Sequence, residues 1–224
     1  RTYPVAYSYD AQGRMTTMTN WSSFAAQSGG RATTWNYNQY RGWLDSKTYD
    51  GGTAGPGYTF TAAGRLQTRL WARGIITTYT YDSAGGLATV SYDDGTTPDL
   101  SYTYDRRGRQ ATITQGSSGT TTLAYNDVNQ QLSESYDGGL LAGLSVTTSY
   151  DEHLRRASLG LHYAQSTLQA INYAYTGASR LQTVTDNTGS TAHSATYSYL
   201  ANSPLVNQIV FKQGTMTNMV TTKY

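Results

Sequence analysis

The chain has 224 residues, no cysteine and a formal net charge of +2. The lack of cysteine excludes a disulfide framework, and so small a charge argues against nucleic-acid binding, which needs concentrated lysine and arginine. No apolar run reaches the ~18 residues that a membrane-spanning helix requires.

The composition indicates an all-β fold with many tight turns. There are 21 tyrosines against 3 phenylalanines and 4 tryptophans, and tyrosine and threonine favour half-buried positions on a pleated sheet. Glycine occurs 23 times and proline only 4 times, which is typical of hairpin turns rather than of polyproline linkers.

One motif recurs along the chain, in the order aromatic, small residue, aromatic, four-residue turn, arginine and aliphatic. It first occupies residues 7–15, with Tyr9, Asp10, Gly13 and Arg14 at its centre. Clear copies follow at 58–66, 79–87 and 102–109, and weaker ones begin at Trp35, Leu123, Thr148, Tyr173 and Tyr197.

The second aromatic of each copy, here named the marker aromatic, gives the period. Successive markers are 28, 23, 21, 23, 21, 25, 25 and 24 residues apart, and a further step of 25 reaches Tyr224. The spacing predicts a single array of about nine repeats over residues 1–224, as a segment of a longer protein. The markers are Tyr9, Tyr37, Phe60, Tyr81, Tyr104, Tyr125, Tyr150, Tyr175 and Tyr199.

The residues after each marker predict a type I turn followed by a bulge. An Asp at the first turn position bonds local amides, and a Gly at the fourth adopts a positive φ without steric cost. Asn129 is an acceptable substitute for this glycine, whereas Leu154 and Ser179 are poorly suited to it. The turn positions are Asp10, Asp82, Asp105 and Asp151 for the acid and Gly13, Gly64, Gly85 and Gly108 for the glycine.

Aromatics two residues apart lie on one face of a strand. The paired tyrosines therefore predict two columns of stacked rings across neighbouring strands, each cross-strand pair contributing roughly 0.2–1 kcal/mol. The arginines that follow the turns are expected to lie on these rings. They are Arg14, Arg65, Arg109 and Arg180.

Looser turns half a repeat away, such as Asp50-Gly51-Gly52 and Asp137-Gly138-Gly139, make each repeat one hairpin. About 18 strands are expected in all, each hairpin supported by its neighbours. Both faces look partly polar, as in a wall rather than a sandwich. Residues 21–30 are interpreted as a long loop that explains the 28-residue spacing.

The recurring Tyr-Asp-x-x-Gly-Arg-Leu pattern resembles the YD-repeat, or Rhs, family over essentially the whole chain. The resemblance implies consecutive antiparallel β-hairpins forming a spiralling or tubular sheet. In bacterial members of the family such a shell encloses a C-terminal toxic domain, and in animal teneurins a related shell serves adhesion. No segment resembling the family's self-cleaving aspartate site is visible.

A shell around a cargo of 150 residues needs roughly 31 strands per turn, at ~4.8 Å per strand around a circumference of about 150 Å. About 18 strands cannot close such a ring. The chain is therefore expected to be a section of a longer shell, or else a strip that winds tightly into a tube or fibre.

The sequence gives little support for other kinds of functional site. The three histidines lack metal-ligand spacing, Asp93 and Asp94 sit in a turn signature, and each repeat turn supplies one carboxylate where calcium needs six to eight oxygens. Residues 139–143 are interpreted as ordinary packing rather than as an apolar bend or partner patch, and the four tryptophans as wall packing rather than sugar platforms. No catalytic, cofactor-binding or metal site is expected.

The leading hypothesis is a non-catalytic structural segment of a secreted or surface-exposed bacterial protein, which contains or scaffolds a toxin or effector domain. Its expected partners are further repeats of the same polypeptide and a C-terminal toxin cargo. The alternative is an adhesive or filament-forming module that binds glycans or copies of itself through its sheet edges. An enzyme is a distant third possibility.

Overall fold

The computed structural model describes residues 4–222 and contains 19 β-strands with two short 3₁₀ turns. Backbone contacts group the chain into two compact units, Arg1–Tyr102 and Thr103–Tyr224. No helix long and apolar enough to cross a membrane occurs in the part of the chain that is described.

The first unit contains eight strands and the start of a ninth, with a 3₁₀ turn at Asp50–Gly52. The strands are β1 (Val5–Tyr9), β2 (Met15–Ser23), β3 (Ser28–Tyr37), β4 (Leu44–Tyr49), β5 (Thr53–Phe60), β6 (Leu66–Leu70), β7 (Ile76–Tyr81), β8 (Leu87–Tyr92) and β9 (Leu100–Tyr104).

The second unit begins within β9 and contains ten further strands, with a 3₁₀ turn at Gly139–Leu141. These strands are β10 (Gln110–Gln115), β11 (Thr120–Tyr125), β12 (Gln131–Asp137), β13 (Leu144–Tyr150), β14 (Arg156–Tyr163), β15 (Ser166–Tyr175), β16 (Leu181–Asp186), β17 (His193–Tyr199), β18 (Val206–Gln213) and β19 (Met216–Thr222).

The strands follow one another as antiparallel hairpins, each paired with its neighbours in the chain. The second unit repeats this pattern from β10 to β19. Short turns favour this connection because antiparallel strands need only a few linking residues. The predicted all-β hairpin fold is confirmed.

The turn after seven of the nine marker aromatics has the predicted geometry, whereas the turns after Tyr37 and Tyr199 are one residue longer. In the first repeat the Gly13 amide donates to the Asp10 carbonyl at 3.0 Å, the Asp10 amide donates to the Arg14 carbonyl at 2.9 Å, and Gly13 has φ = 76°. The register shifts between Ser8 and Tyr9, which is the bulge that a left-handed fourth residue produces.

Leu154 and Ser179 occupy the same left-handed position although the sequence makes them poor candidates for it. Their φ angles are 62° and 59°, close to the 67° of Asn129. The hydrogen bonds of the turn hold Leu154 there, since its amide donates to the Asp151 carbonyl at 2.9 Å. The two least secure of the predicted turns therefore form, because the hairpin strands on either side hold them against the residue's own preference.

Replacing Leu154 with glycine is expected to stabilise the protein by about 1 kcal/mol, because the left-handed conformation costs an L-residue roughly 1–2 kcal/mol and glycine little. The leucine side chain is 52% exposed, so its removal loses little packing. The midpoint of urea unfolding should rise. Leu168→Gly, in strand β15 and 48% exposed, is the matched control and should lower that midpoint.

The interpretation of residues 21–30 as a long loop is wrong. Strand β2 runs to Ser23 and β3 begins at Ser28, and the ladder continues outward through the pair Trp21–Gly30. Trp21 then meets Phe24 edge to face, with 5.2 Å between the ring centroids. The long spacing arises from a longer hairpin, because this aromatic contact supports additional paired residues at the tip.

The two faces of the sheet differ in chemistry. On one face Tyr79 lies opposite Val90, and similar aromatic–aliphatic pairs recur, for example Tyr197 with Ile209. On the other face the residue between two aromatics pairs hydroxyl to hydroxyl, as in Thr80–Thr89 at 2.6 Å. We name these the aromatic face and the hydroxyl face. The remaining cross-strand hydroxyl pairs include Thr59–Thr68, Thr103–Thr112, Thr114–Thr120 and Ser149–Ser158.

Few side chains are fully buried. Among the described residues Val90 is 6% exposed and Thr77 is 1% exposed, and the Trp71 indole donates a hydrogen bond to the Thr77 hydroxyl at 2.8 Å. Within each unit the side chains thus pack mainly against neighbouring strands, and few of the described ones are enclosed. Stability must come from contacts between neighbouring repeats.

Candidate functional site: the junctions between repeats

At three turns an aspartate fixes the arginine that leaves the turn, and the residue at this position is here named the exit residue. Asp151 Oδ1 accepts the amides of His153 at 3.0 Å and Arg155 at 2.9 Å, while Oδ2 accepts Arg155 Nε at 2.7 Å. The pairs Asp10–Arg14 and Asp105–Arg109 repeat this arrangement at 2.6 Å. The arginine therefore leaves the turn in a direction that the carboxylate sets.

Five exit arginines, including the three that an aspartate orients, lie over the marker tyrosine of the next repeat, where a guanidinium is attracted to the face of the ring. We name this contact a junction. The expected arginine–ring contacts are thus present, and each one joins two repeats. The distances from Cζ to the ring centroid are 4.6 Å for Arg14–Tyr37, 5.4 Å for Arg65–Tyr81, 4.8 Å for Arg109–Tyr125, 4.4 Å for Arg155–Tyr175 and 4.7 Å for Arg180–Tyr199.

Sequence reasoning missed Arg155 among the arginines that follow the turns. The signal was its distance from the marker, since Arg155 follows Tyr150 by five residues as Arg14 follows Tyr9. The predicted column of directly stacked tyrosines also needs revision. A guanidinium occupies one face of each of the five tyrosines at these junctions, which favours an alternation of cation and ring.

The marker hydroxyl makes a second contact across the junction. Tyr199 Oη donates to the carbonyl of Leu181, the residue after the exit arginine, at 2.7 Å. The same bond joins Tyr37 to Met15 at 2.9 Å, Tyr81 to Leu66 at 2.7 Å, Tyr150 to Gln131 at 3.1 Å and Tyr175 to Arg156 at 2.9 Å.

The position of this carbonyl explains why a phenol is used. The ladder between β16 and β17 ends at Thr183–Thr196, so Leu181 lies two residues past the last pair. The other tyrosine-bonded carbonyls lie the same distance beyond their ladders. Backbone polar groups require partners, and the tyrosine hydroxyl spans the gap where the backbone has diverged.

One junction uses different residues to the same end. The turn before Phe60 closes with the Asn38 amide donating to the Trp43 carbonyl at 2.8 Å, which makes Trp43 the exit residue. Trp43 packs on the Phe60 ring with 5.0 Å between centroids. Phe60 lacks a hydroxyl and Trp43 lacks a charge. An apolar tryptophan–phenylalanine pair therefore replaces the arginine–tyrosine pair of the other junctions.

In the second unit the exit residues also bond to the following turn. Arg109 Nη1 donates to the Asn126 carbonyl at 2.7 Å, and Gln130 Nε2 donates to the Leu154 carbonyl at 2.7 Å. Arg155 Nη1 reaches Ser179 Oγ at 2.9 Å and Arg180 Nη1 reaches the Ser203 carbonyl at 2.6 Å. Four successive turns are thereby linked to the next along one side of the strands.

The remaining predicted repeat residues fall in the expected local positions. Gly64, Gly85 and Gly108 have φ of 80°, 91° and 76°. Asp82 Oδ1 accepts the Gly86 amide at 2.8 Å, so this turn keeps the acid bond while a glycine stands at the exit position. Tyr104 ends β9 and is half-buried.

The groups considered as active sites have local partners. His162 shares hydrogen bonds with Thr147 at 2.9 Å and Thr167 at 3.2 Å, whereas His153 is exposed beside Glu152. Asp94 caps its own turn through Thr97, which lowers its pKa to about 2. Within residues 4–222, no three His, Asp or Glu side chains form a group suited to a metal ion.

A shallow cleft of about 280 Å³ lies on the second unit. Its apolar lining includes Val184, Ala195 and Phe211, which are cross-strand neighbours, and the small alanine leaves the space between the two larger side chains. Asp186 and His193 border it. A hydrogen bond from Thr188 lowers the pKa of Asp186, so this carboxylate is held by its own turn.

Acid is expected to weaken the turns through their carboxylates. The hydrogen bond from Arg155 lowers the pKa of Asp151. A carboxyl whose pKa is lower in the folded than in the unfolded chain stabilises the fold above its ordinary pKa of about 3.9, and this contribution is lost as the pH falls through the lowered value.

The urea midpoint of the native protein should therefore fall below about pH 4. Asp151→Asn should have a lower midpoint at pH 7 and a shallower fall on acidification. Asp127→Asn, at a side chain that is 98% exposed and pairs with Arg107 at 3.2 Å, should change both far less, because exposed ion pairs contribute little to stability. A native-like acid profile in Asp151→Asn would contradict the role given to this carboxylate.

No family model and no curated protein matches this sequence. Solved structures with a similar fold include TcdB2-TccC3, at a TM-score of 0.59 and 15% identity, covering 97% of this chain and 15% of that chain. TcdB2-TccC3 without its hypervariable C-terminal region matches at 0.59 and 14%, covering 97% and 14%.

A Tc holotoxin pore from Photorhabdus luminescens also matches, at a TM-score of 0.59 and 15% identity, covering 95% of this chain and 13% of that one. At such identities the likeness concerns the fold. This chain spans about one seventh of the length of the chains it matches. The consecutive hairpins and their order are therefore shared with a section of these much larger molecules.

Proposed function

We propose that this chain is a non-catalytic wall segment of a bacterial YD-repeat (Rhs) protein, and that residues 1–224 form a single repeat array within it. The wall encloses or scaffolds a toxin or effector domain of the same polypeptide, which is secreted or displayed at the cell surface. The proposal is supported by the repeat pattern together with the fold likeness to toxin-complex structures.

The observation that carries the proposal is the recurrence of the junction. An arginine that leaves the turn, held by the turn acid at Arg14 and Arg155, covers the next marker ring, and that ring's hydroxyl bonds back to the carbonyl of the residue after the same arginine. Both contacts resist separation of adjacent hairpins. Because most repeats add nearest-neighbour contacts of this kind, the strip gains mechanical continuity with length and has no single reactive centre among its described residues.

The dimensions favour a section of a longer wall. Nineteen strands at ~4.8 Å each give a contour of about 90 Å, well short of the ~150 Å needed to encircle a domain of 150 residues. The matched chains are about seven times longer. Containment would therefore be a property of the complete polypeptide, to which this segment contributes part of the wall.

The test is electron microscopy of the native, full-length protein combined with limited proteolysis. We expect closed hollow particles in which an internal domain survives protease treatment. The Arg180→Ala/Tyr199→Ala variant should lose that protection, whereas Tyr40→Ala, at a side chain 86% exposed, should keep it. Open particles with an equally sensitive internal domain would overturn containment.

Continuous filaments would instead favour the second candidate, an adhesive or filament-forming module that associates with copies of itself or with glycans. One observation favours it: β19 exposes apolar side chains, with Met216 at 65%, Met219 at 55% and Val220 at 47%. Exposed apolar edges promote strand pairing between molecules. In that case Met219→Lys should shorten the filaments.

A further inference from the structure

Arg69 stands where several other repeats place an aliphatic side chain. It lies on the aromatic face of β6, directly opposite Tyr58, and is half-buried. In four other repeats the residue opposite the first aromatic is apolar, namely Met18, Val90, Val184 and Ile209. Wall packing alone does not account for the arginine, because an aliphatic residue would fill this position without a charge that needs solvation.

The surroundings of Arg69 hold its charge without a counterion. Its Cζ lies 3.5 Å from the centroid of the Trp71 ring, and its Nε is buried without a hydrogen-bond partner. Trp71 is fixed in turn, since its indole donates to the Thr77 hydroxyl at 2.8 Å. Burial raises the pKa of the Tyr79 phenol, and the charge of Arg69 acts against the rise. In such partly desolvated surroundings a guanidinium attracts an anion more strongly than it does in water.

Two exposed arginines flank Arg69 along the same strand. Arg65 leaves the turn before β6 and lies over the Tyr81 ring, with 5.4 Å from Cζ to the centroid. Arg73 lies in the turn after β6, 5.6 Å from the centroid of Trp71. The three follow one another at intervals of four residues, and we name Arg65, Arg69 and Arg73 the arginine row.

The arginine row is not neutralised by the chain itself. Residues 51–81 contain these three arginines and no acidic residue. Within residues 4–222, no guanidinium of the row forms an ion pair or a hydrogen bond, although each lies against an aromatic ring. Five other arginines do pair with carboxylates, namely Arg14, Arg31, Arg107, Arg109 and Arg155.

We infer that the arginine row binds an acidic peptide segment in an extended conformation, with carboxylates four residues apart. Four residues of extended chain span ~13 Å in the peptide as in β6, so successive carboxylates meet successive arginines. Each carboxylate can accept two parallel N–H bonds from a guanidinium. This binding activity goes beyond the proposed wall function and does not depend on it.

The geometry favours a peptide over other anionic polymers. A sugar ring would need a free aromatic face, but Trp71 has Arg69 and Arg73 against its ring and its indole N–H bound to Thr77. Three cations are also few for a nucleic acid, whose binding needs concentrated lysine and arginine.

The experiment titrates a dye-labelled peptide, Asp-Thr-Ser-Thr-Asp-Thr-Ser-Thr-Asp, with the native protein and follows fluorescence polarisation at low ionic strength. We expect saturable binding that weakens as salt is added, because salt screens the contacts of exposed charges. The same peptide with asparagine at its three acidic positions should not bind. Equal binding of the acidic and the neutral peptide, or no binding of either, would overturn the inference.

Variants separate binding from stability. Arg69→Met should bind the acidic peptide about tenfold more weakly, the loss of one charge-assisted hydrogen bond. Its urea midpoint should not fall, because methionine fills an apolar position and removes a poorly solvated charge. Arg106→Met removes the same charge from an exposed arginine outside the row and should bind like the native protein. A lower urea midpoint of Arg69→Met with unchanged peptide binding would show that Arg69 is structural.

Dye-labelled heparin tests the alternative of a sulfated glycan. Its binding should fall equally in Arg69→Met and Arg106→Met, as expected of a polyanion that responds to total charge. A loss of heparin binding confined to Arg69→Met, together with no binding of the acidic peptide, would overturn the peptide and assign the arginine row to a sulfated glycan.

Discussion

Gly119→Ala is expected to destabilise the second unit by about 3 kcal/mol or more, the cost of a collision with backbone atoms added to a strained φ. A Cβ at this position would lie 2.2 Å from the Asp137 carbonyl oxygen and 2.7 Å from Gly138 Cα, and Gly119 has φ = 125°. Two neighbouring turns thus touch through their backbones. Urea unfolding followed by circular dichroism measures the loss.

Gly177→Ala is the matched control for this substitution. Nothing lies within 4 Å of a Cβ built there, and its φ lies outside the left-handed range. The change should stay within ~0.5 kcal/mol of the native protein. If Gly119→Ala and Gly177→Ala unfold at the same urea concentration, the close approach of the two turns is absent in solution.

Tyr199→Ala is expected to cost about 3 kcal/mol, because it removes a half-buried ring together with its two junction contacts. Tyr199→Phe separates these effects. It keeps the ring under Arg180 and loses only the bond to the Leu181 carbonyl, which should cost about 1 kcal/mol. Tyr40→Ala, at a ring that is 86% exposed, should be close to neutral.

A double-mutant cycle measures the arginine–ring contact itself. Arg180→Ala and Tyr199→Ala are combined, and the excess over the sum of the single changes should be about 0.5–1 kcal/mol. Additive effects would show that the two side chains do not interact. The same cycle with Arg180 and Tyr40 should give no coupling.

The hairpin fold was predictable because its signals are local. A turn acid, a left-handed glycine and alternating aromatics each act over a few residues. Because they recur at a regular spacing, together they predict the hairpin fold strongly. The arginine contacts were predictable for the same reason, since Arg14 and Arg65 stand at a fixed distance from their turns. Because the repeats are regular, each of these arginines meets the marker aromatic of the next repeat.

The rest depends on partners far apart in the sequence. The bond from Tyr37 to the Met15 carbonyl joins residues 22 positions apart, and it depends on where a ladder stops, which no local pattern reveals. The exchange of Arg and Tyr for Trp43 and Phe60 could be recognised only once the two were seen in contact. Leu154 adopts a left-handed conformation that leucine disfavours, because the hydrogen bonds of the surrounding hairpin outweigh about 1 kcal/mol of backbone strain.

The Trp43–Phe60 junction has a consequence for how such a chain can change during evolution. Whether two repeats pack together depends on the exit residue of the first and the marker aromatic of the second. The unit that must be inherited together is therefore this pair of residues, which lies in two consecutive hairpins. Deleting or duplicating whole periods preserves every boundary when both ends carry the arginine–tyrosine type. An exchange that cuts between Trp43 and Phe60 would leave an indole facing a phenol, and would persist only if a second substitution restored the match.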